Sequence, residues 1–428
     1  MQIHVVQQGD SVFSIAGLYD STPNAIIEAN ELETPGDLVI GQALVIPIVG
    51  QFYFVQQGDS LYSIAQEFNT TPQQLAQVNG LQVGAVLPVG LRLYIPDAPP
   101  RSITANAYIE PFGGEVSDTL RSSAENRAAS LTYLAPFSYE IQEDGSLKAP
   151  PLDNFKEIAQ QNDTALMMVV TNLAEDGFDR ELGRKILTDE ALQDTLLDNI
   201  IQITRQVGFQ DVHFDMEFLP PETKENYNQF LRKAKQRLSA EGLLISTALA
   251  PKTSAEQQGA WYEAHDYKTH GEIVDFVVLM TYEWGYSGGP PRAVAPIGPV
   301  TEVVDYALTE MPAEKILLGQ NLYGYDWTLP YEPGGEFAKA ISPQQAIQIA
   351  RENNVAISYD QEEQAPYFTY TDSSGNEHEV WFEDARSIQK KFDLIKERGL
   401  LGISYWKLGL AFPQNWLLLN GQFSIDKK

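Results

Sequence analysis

Asp215 and Glu217 stand two residues apart in the run Asp211-Val212-His213-Phe214-Asp215-Met216-Glu217. Apolar and ionisable residues alternate there, and alternation with period two predicts a strand. His213, Asp215 and Glu217 then share one face, while Val212, Phe214 and Met216 share the other. The apolar face suits packing against helices. The other face gathers ionisable groups at the end of what reads as a buried strand, and burying charge is costly unless it is paired or put to use. Two close acids rarely ionise together, so Glu217 is expected to keep its proton at a raised pKa while Asp215 stays charged. That is the equipment of a general acid. Met280-Thr281-Tyr282-Glu283-Trp284 ends a second apolar run and Ser404-Tyr405-Trp406 a third. An acid, a phenol and an indole around one mouth suit a sugar. The acid protonates a leaving oxygen, the phenol and second acid hold an acetamido group, and the indole floors the apolar sugar face.

Bringing these segments together needs a scaffold that ends its strands on one side. Candidate strands are Asn106–Glu110, Leu131–Phe137, Ala165–Thr171, Val212–Phe218, Leu244–Leu249, Phe276–Tyr282, Ile316–Leu322 and Gly402–Trp406. Helical stripes fall between many of them. Leu192, Leu196, Ile200, Ile203 and Val207 form one; Tyr227, Phe230, Leu231, Ala234 and Leu238 form another. Eight strands alternating with helices predict an α/β fold, a (β/α)8 barrel over residues 101–428. Glu217, Tyr282 and Trp406 fall at the C-terminal ends of strands four, six and eight, where such barrels carry their sites. The stretch from about 326 to 384 is too long for a loop. Ser342-Pro343 starts a helix there, and Tyr367–Tyr370 and Glu379–Phe382 read as strands, so a small α+β insertion is expected.

Residues 1–48 and 51–97 form a gapless repeat. Val6-Gln7-Gln8-Gly9-Asp10-Ser11 returns as Val55-Gln56-Gln57-Gly58-Asp59-Ser60, and Thr22-Pro23, Asn30, Gly41 and Ile46-Pro47 all return at the same offset of 49 residues. Each copy reads strand, helix, helix, strand, with Ser11 or Ser60 capping the first helix and Thr-Pro opening the second. Asp97-Ala98-Pro99-Pro100 reads as a short stiff linker.

Composition narrows the chemistry. The 428 residues include no cysteine, so disulfides, thiolate nucleophiles and zinc–thiolate sites are excluded. That suits a reducing compartment of synthesis, or a secreted protein that does without disulfides. A net charge of −29 argues against nucleic acid and anionic membranes as partners. No apolar run approaches the ~20 residues of a membrane span. No basic segment, apolar core and small-residue cleavage site open the chain, so no signal peptide is expected. His4, His265, His270 and His378 lack metal-ligand spacing, so neither metal nor cofactor is expected.

The repeated units resemble LysM modules, which bind glycans containing N-acetylglucosamine, such as peptidoglycan and chitin. The resemblance implies that Gly9, Asp10, Ser11, Gly58, Asp59 and Ser60 lie near the sugar groove, which runs between the first strand–helix turn and the loop after the second helix. The barrel resembles glycoside hydrolase family 18, whose fourth-strand motif is Asp-x-x-Asp-x-Asp-x-Glu. The stretch Gln210–Glu217 keeps the last two acids, with Gln210 and His213 where the family has acids. Met280-Thr281-Tyr282-Glu283 is similar to the family's Met-x-Tyr-Asp, and Trp406 to the tryptophan ending strand eight. The insertion, with Phe368 and Trp381 among its aromatics, resembles the chitinase insertion domain.

This resemblance implies Glu217 as general acid and then base. It implies Asp215 and Tyr282 as the residues positioning the substrate's own acetamido group, and retention of configuration. Trp406, Met280, His213, Trp284 and Asn321 are the further substrate-binding candidates. His213 is expected to bond either to Asp215 or to backbone. The whole chain resembles the spore-cortex-lytic N-acetylglucosaminidases of Bacillus type, which implies cortical peptidoglycan fragments as substrate and residence in the spore. A chitinase, or a non-catalytic wall-binding or coat protein on the same barrel, are the alternatives.

Overall fold

A computed structural model describes residues 1–97, 99–111 and 114–428; Ala98 of the expected linker lies outside them. Eight parallel strands close into a barrel: Arg101–Ile109, Tyr133–Pro136, Ala165–Thr171, Asp211–Asp215, Leu244–Leu249, Phe276–Leu279, Ile316–Asn321 and Gly402–Trp406. Each pairs with the next, and the eighth closes on the first with Gly402 opposite Thr104. Helices on the outside make both faces of these strands buried. On the fourth strand Phe214 faces outward, its ring 5.2 Å from that of Phe230. The barrel interior holds Tyr133, Met167, Val169, Phe276 and Leu317 in one apolar cluster. Glu190–Val207 and Lys224–Ala240 are the two expected helices. Asp189 caps the first, and a left-handed Gly208 ends it.

Two strands stop well before the C-terminal ends their patterns predict. The fourth stops at Asp215 and the sixth at Leu279. Past Asp215, the Glu217 N–H is bound by the Asn172 side chain instead of a neighbouring strand. Past Leu279, Thr281 and Tyr282 turn the backbone with bonds to Leu279 O and Met280 O. Glu217 and Tyr282 therefore sit on loop backbone just beyond the strand ends.

The segment after strand seven holds a five-stranded antiparallel sheet: Lys339–Ile341, Gly324–Leu329, Glu377–Trp381, Ala365–Thr371 and Ser358–Asp360, in that spatial order. Its helix Pro343–Glu352 has Ser342 and Gln345 as a capping box and proline in its first turn. Strand Gly324–Leu329 goes unread in the sequence because only Leu322 and Tyr323 separate it from strand seven.

Both N-terminal modules pair their strands antiparallel. Asn30 and Asn79 end the second helices, and their amides bond both ways to the closing strands: Val45 N donates to Asn30 Oδ1 at 2.8 Å, and Tyr94 N to Asn79 Oδ1 at 2.6 Å. The first module packs on the barrel, with Ala43 and Val45 in the barrel's main apolar core.

Candidate active site

Glu217 and Asp215 lie almost wholly buried at the C-terminal mouth of the barrel. Asn172, at the end of strand three, fixes the Glu217 backbone. Its Oδ1 accepts the Glu217 N–H at 2.9 Å and its Nδ2 donates to Glu217 O at 3.0 Å. The Glu217 carboxylate accepts a hydrogen bond from Trp261 Nε1–H. Trp261 lies on the loop after strand five, and its ring is stacked with that of Phe218 at 6.1 Å and 12°. Asp215 Oδ1 is buried and, among the described residues, has no hydrogen-bond partner, an open acceptor at the mouth.

Burial raises the pKa of both acids, Asp215 to about 7. Glu217 rises further because the Asp215 charge adds to burial, against the Trp261 bond, which favours the ionised form. Near neutral pH the pair therefore keeps a proton, and it rests on Glu217. Burial therefore opposes the charge expected on Asp215, while that charge is what lifts Glu217 further.

Below the acids a buried polar chain runs into the barrel. Tyr108 OH and His213 Nε2 are 2.9 Å apart, His213 Nδ1 and Ser246 Oγ 2.8 Å, and Ser246 Oγ donates to Asp211 Oδ1 at 2.6 Å. Both ring nitrogens of His213 are occupied, so the expected bonds to Asp215 or to backbone are replaced by Tyr108 and Ser246. Burial depresses His213 to about 3, which keeps it neutral, and lifts Asp211 to about 7.

Tyr282 is buried beside the acids. Burial, then Tyr108, Asp215 and Glu217, push its phenol well above the ordinary value, so it is a donor at any working pH. Its ring needs Gly319, where a Cβ would come 3.0 Å from Tyr282 Cε1 and 2.2 Å from Leu279 O. Trp406 is partly exposed at the mouth and braced edge-on by Phe137 at 4.8 Å and Tyr108 at 5.4 Å. Next to it, Lys407 pairs with Glu110.

The remaining candidates divide. Trp284 is half-buried against the barrel core, and its backbone N–H donates to Val294 O at 3.0 Å. Met280 packs into that core. Asn321 is fully buried and spends its amide on Tyr323 O at 2.7 Å and on the Gln320 side chain at 3.0 Å. Met280 follows strand six at the mouth, as buried as Asp215 and Tyr282, whereas the Asn321 amide at the end of strand seven is already spent on protein partners. Glu283 is held by the hydroxyls of Tyr323 and Tyr325. Trp261 is the functional candidate that sequence reasoning missed. Its signal was an aromatic pair, Trp261-Tyr262, in a polar loop following a barrel strand.

In the modules, Asp10 and Asp59 close the Gly-Asp-Ser turns. Asp10 accepts from Gln7 N at 2.8 Å and Asp59 from Gln56 N at 2.7 Å. Ser11 and Ser60 cap helices. Gly9 and Gly58 hold φ of 89° and 95°, which the turn requires. Among the described residues no group of three His, Asp or Glu side chains has the arrangement of a metal site.

A model of the glycosyl hydrolases family 18 matches residues 112–411, and a LysM domain model matches 4–47 and 53–96. The chain is 65% identical over 428 residues to the cortical fragment-lytic enzyme of Bacillus subtilis (strain 168), covering 100% of this chain and 99% of that one. The crystal structure of the Bacillus megaterium QM B1551 spore cortex-lytic enzyme SleL superposes with a TM-score of 0.92 at 52% identity, covering 100% of this chain and 99% of the other. The SleL structure from Bacillus cereus gives a TM-score of 0.92 at 49% identity, covering 100% and 98%.

Proposed function

The chain belongs to the glycosyl hydrolases family 18 and carries two LysM domains ahead of its barrel, and from this premise we propose that it is an N-acetylglucosaminidase acting on cortical peptidoglycan fragments in the germinating spore. The observation that carries this reading is a buried, proton-holding Glu217 beside Asp215 at the mouth of a barrel, among Tyr282, Trp261 and Trp406. Residues 101–428 cut the glycan, with the segment near 326–384 walling the cleft. Residues 1–48 and 51–97 hold the glycan beside their Gly-Asp-Ser turns.

Glu217 gives its proton to the glycosidic oxygen as the bond from C1 breaks. The substrate's acetamido oxygen attacks C1 from the opposite face and forms an oxazolinium ion. The unpartnered Asp215 Oδ1 accepts the acetamido N–H, and the Tyr282 hydroxyl donates to the acetamido oxygen. Glu217, now ionised, takes a proton from water, whose oxygen attacks C1 and reopens the ring. Configuration is retained without an enzyme nucleophile, the substrate-assisted exception to the two-carboxylate rule. Trp406 offers its indole face to the sugar.

The test is mass spectrometry of soluble cortex fragments and of chitin oligomers after incubation with the pure protein. New fragments ending in reducing N-acetylglucosamine are expected from cortex. Cleavage confined to chitin would replace this reading with a chitinase. Binding without any cleavage would replace it with a wall-binding protein.

A further inference from the structure

The two N-terminal modules share a fold but differ in what surrounds them. In each, the backbone just before the Gly-Asp-Ser turn is tied to the end of the second loop. Gly41 N donates to Val6 O at 2.8 Å, and Gly90 N to Val55 O at 2.7 Å. These two segments are the walls between which the glycan groove is expected.

In the first module the second loop is fastened to the catalytic half. Gln344 Nε2 donates to Asn30 O at 3.0 Å, Arg351 Nε to Asp37 O at 3.1 Å, and Arg386 Nη2 to Gly41 O at 3.0 Å. Ile357 N donates to Ile40 O at 2.9 Å, and Arg127 pairs with Glu31 at 3.0 Å. The approach is so close that a Cβ on Gly41 would lie 1.8 Å from Ile357 O.

The second module is placed otherwise. A Cβ on Gly90, the counterpart of Gly41, would meet none of the described residues within 4 Å. Its second loop exposes Val83, Val86 and Val89 at 56%, 94% and 68%. Among the described residues no hydrogen bond or ion pair joins 51–96 to the barrel. The module's ties run to the first module instead, through Arg92 to Leu18 O and Asp20. Both its ends meet at one point, where Gly50 N donates to Asp97 Oδ2 at 2.7 Å.

We propose that the second module makes the working contact with wall glycan, and that the first is a fixed bracket that holds the second out from the barrel. This rests on the reading that the modules hold N-acetylglucosamine glycan. A groove between two loops takes a sugar chain when a loop can adjust and offers surface to the sugar faces. The first module's loop is held along one side by these bonds to the catalytic half, although Glu33, Asp37 and Ile40 stay exposed. The second module's loop presents apolar side chains to solvent.

Hydrogen exchange of the full-length Glu217→Gln protein, with and without a tetramer of N-acetylglucosamine, tests this. The substitution stops the barrel from consuming the probe. Exchange is expected to slow in 55–61 and 80–91, by up to about a hundredfold with the tetramer at about 100 times its Kd. It should be unchanged in 6–12 and 31–42. Equal protection of both modules, or protection of the first alone, overturns the division of labour while leaving glycan binding in place. No protection of either module, with the barrel mouth protected, removes the glycan-binding reading and this proposal with it.

Discussion

Two acids one strand-period apart become unequal because of what surrounds each side chain. Asp215 keeps an unpartnered oxygen, whereas Glu217 accepts the Trp261 indole N–H and feels the Asp215 charge. Glu217→Gln removes the transferable proton at constant shape. Hydrolysis of soluble fragments should fall by about 10²–10⁴-fold, with binding retained by calorimetry. Trp261→Phe should act on the pH profile. Loss of a bond to the ionised carboxylate raises the Glu217 pKa, so the group stays protonated to higher pH. The alkaline limb of kcat/KM should then move upward.

Asp211 gives a stability prediction. Its folded pKa of about 7 lies above the ordinary 3.8, raised chiefly by burial. Between these values the folded chain holds a proton that the unfolded chain has released. Stability from this group is therefore complete below 3.8 and is lost as pH rises through about 7. Asp211→Asn, which can still accept from Ser246, should cancel up to ~1.4 kcal/mol per pH unit of that loss. Urea midpoints of parent and variant should thus diverge across this window and run parallel above it.

At the scale of elements, glycines mark where backbone meets backbone. Gly41 and Gly90 both have φ of 84°, so alanine strains each alike, by about 1–2 kcal/mol. Only Gly41→Ala would also drive a methyl group into Ile357 O. It should lower the melting temperature by clearly more than Gly90→Ala, and equal losses would mean that the docking of the first module contributes little. The same logic explains the acid site. Strand four stops at Asp215, and Asn172, arriving from strand three, holds the Glu217 backbone in the absence of a ladder.

The whole molecule is one barrel with a module built into its side. Ala43 and Val45 share the barrel's apolar core, so deleting residues 1–97 should uncover that surface and lower the melting temperature. Excising only 51–96 and joining Gly50 to Asp97 should spare both folding and cleavage of soluble fragments while weakening sedimentation with intact wall. A loss of soluble activity in the shorter excision would show that the second module shapes the cleft.

The alternating run at 211–217, the 49-residue repeat and the eight apolar segments were sufficient for the sequence by itself to determine the barrel, the modules and the acid pair. These features are local or periodic, and periodicity survives in one dimension. The tertiary structure alone decided what the side chains touch. Asn321 spent its amide on Tyr323 O, His213 found Tyr108 and Ser246, and Trp261 reached Glu217 from 44 residues away. It also decided that two modules alike in sequence are unlike in exposure. Contacts between distant segments depend on how loops close in space, and no spacing along the chain encodes that directly.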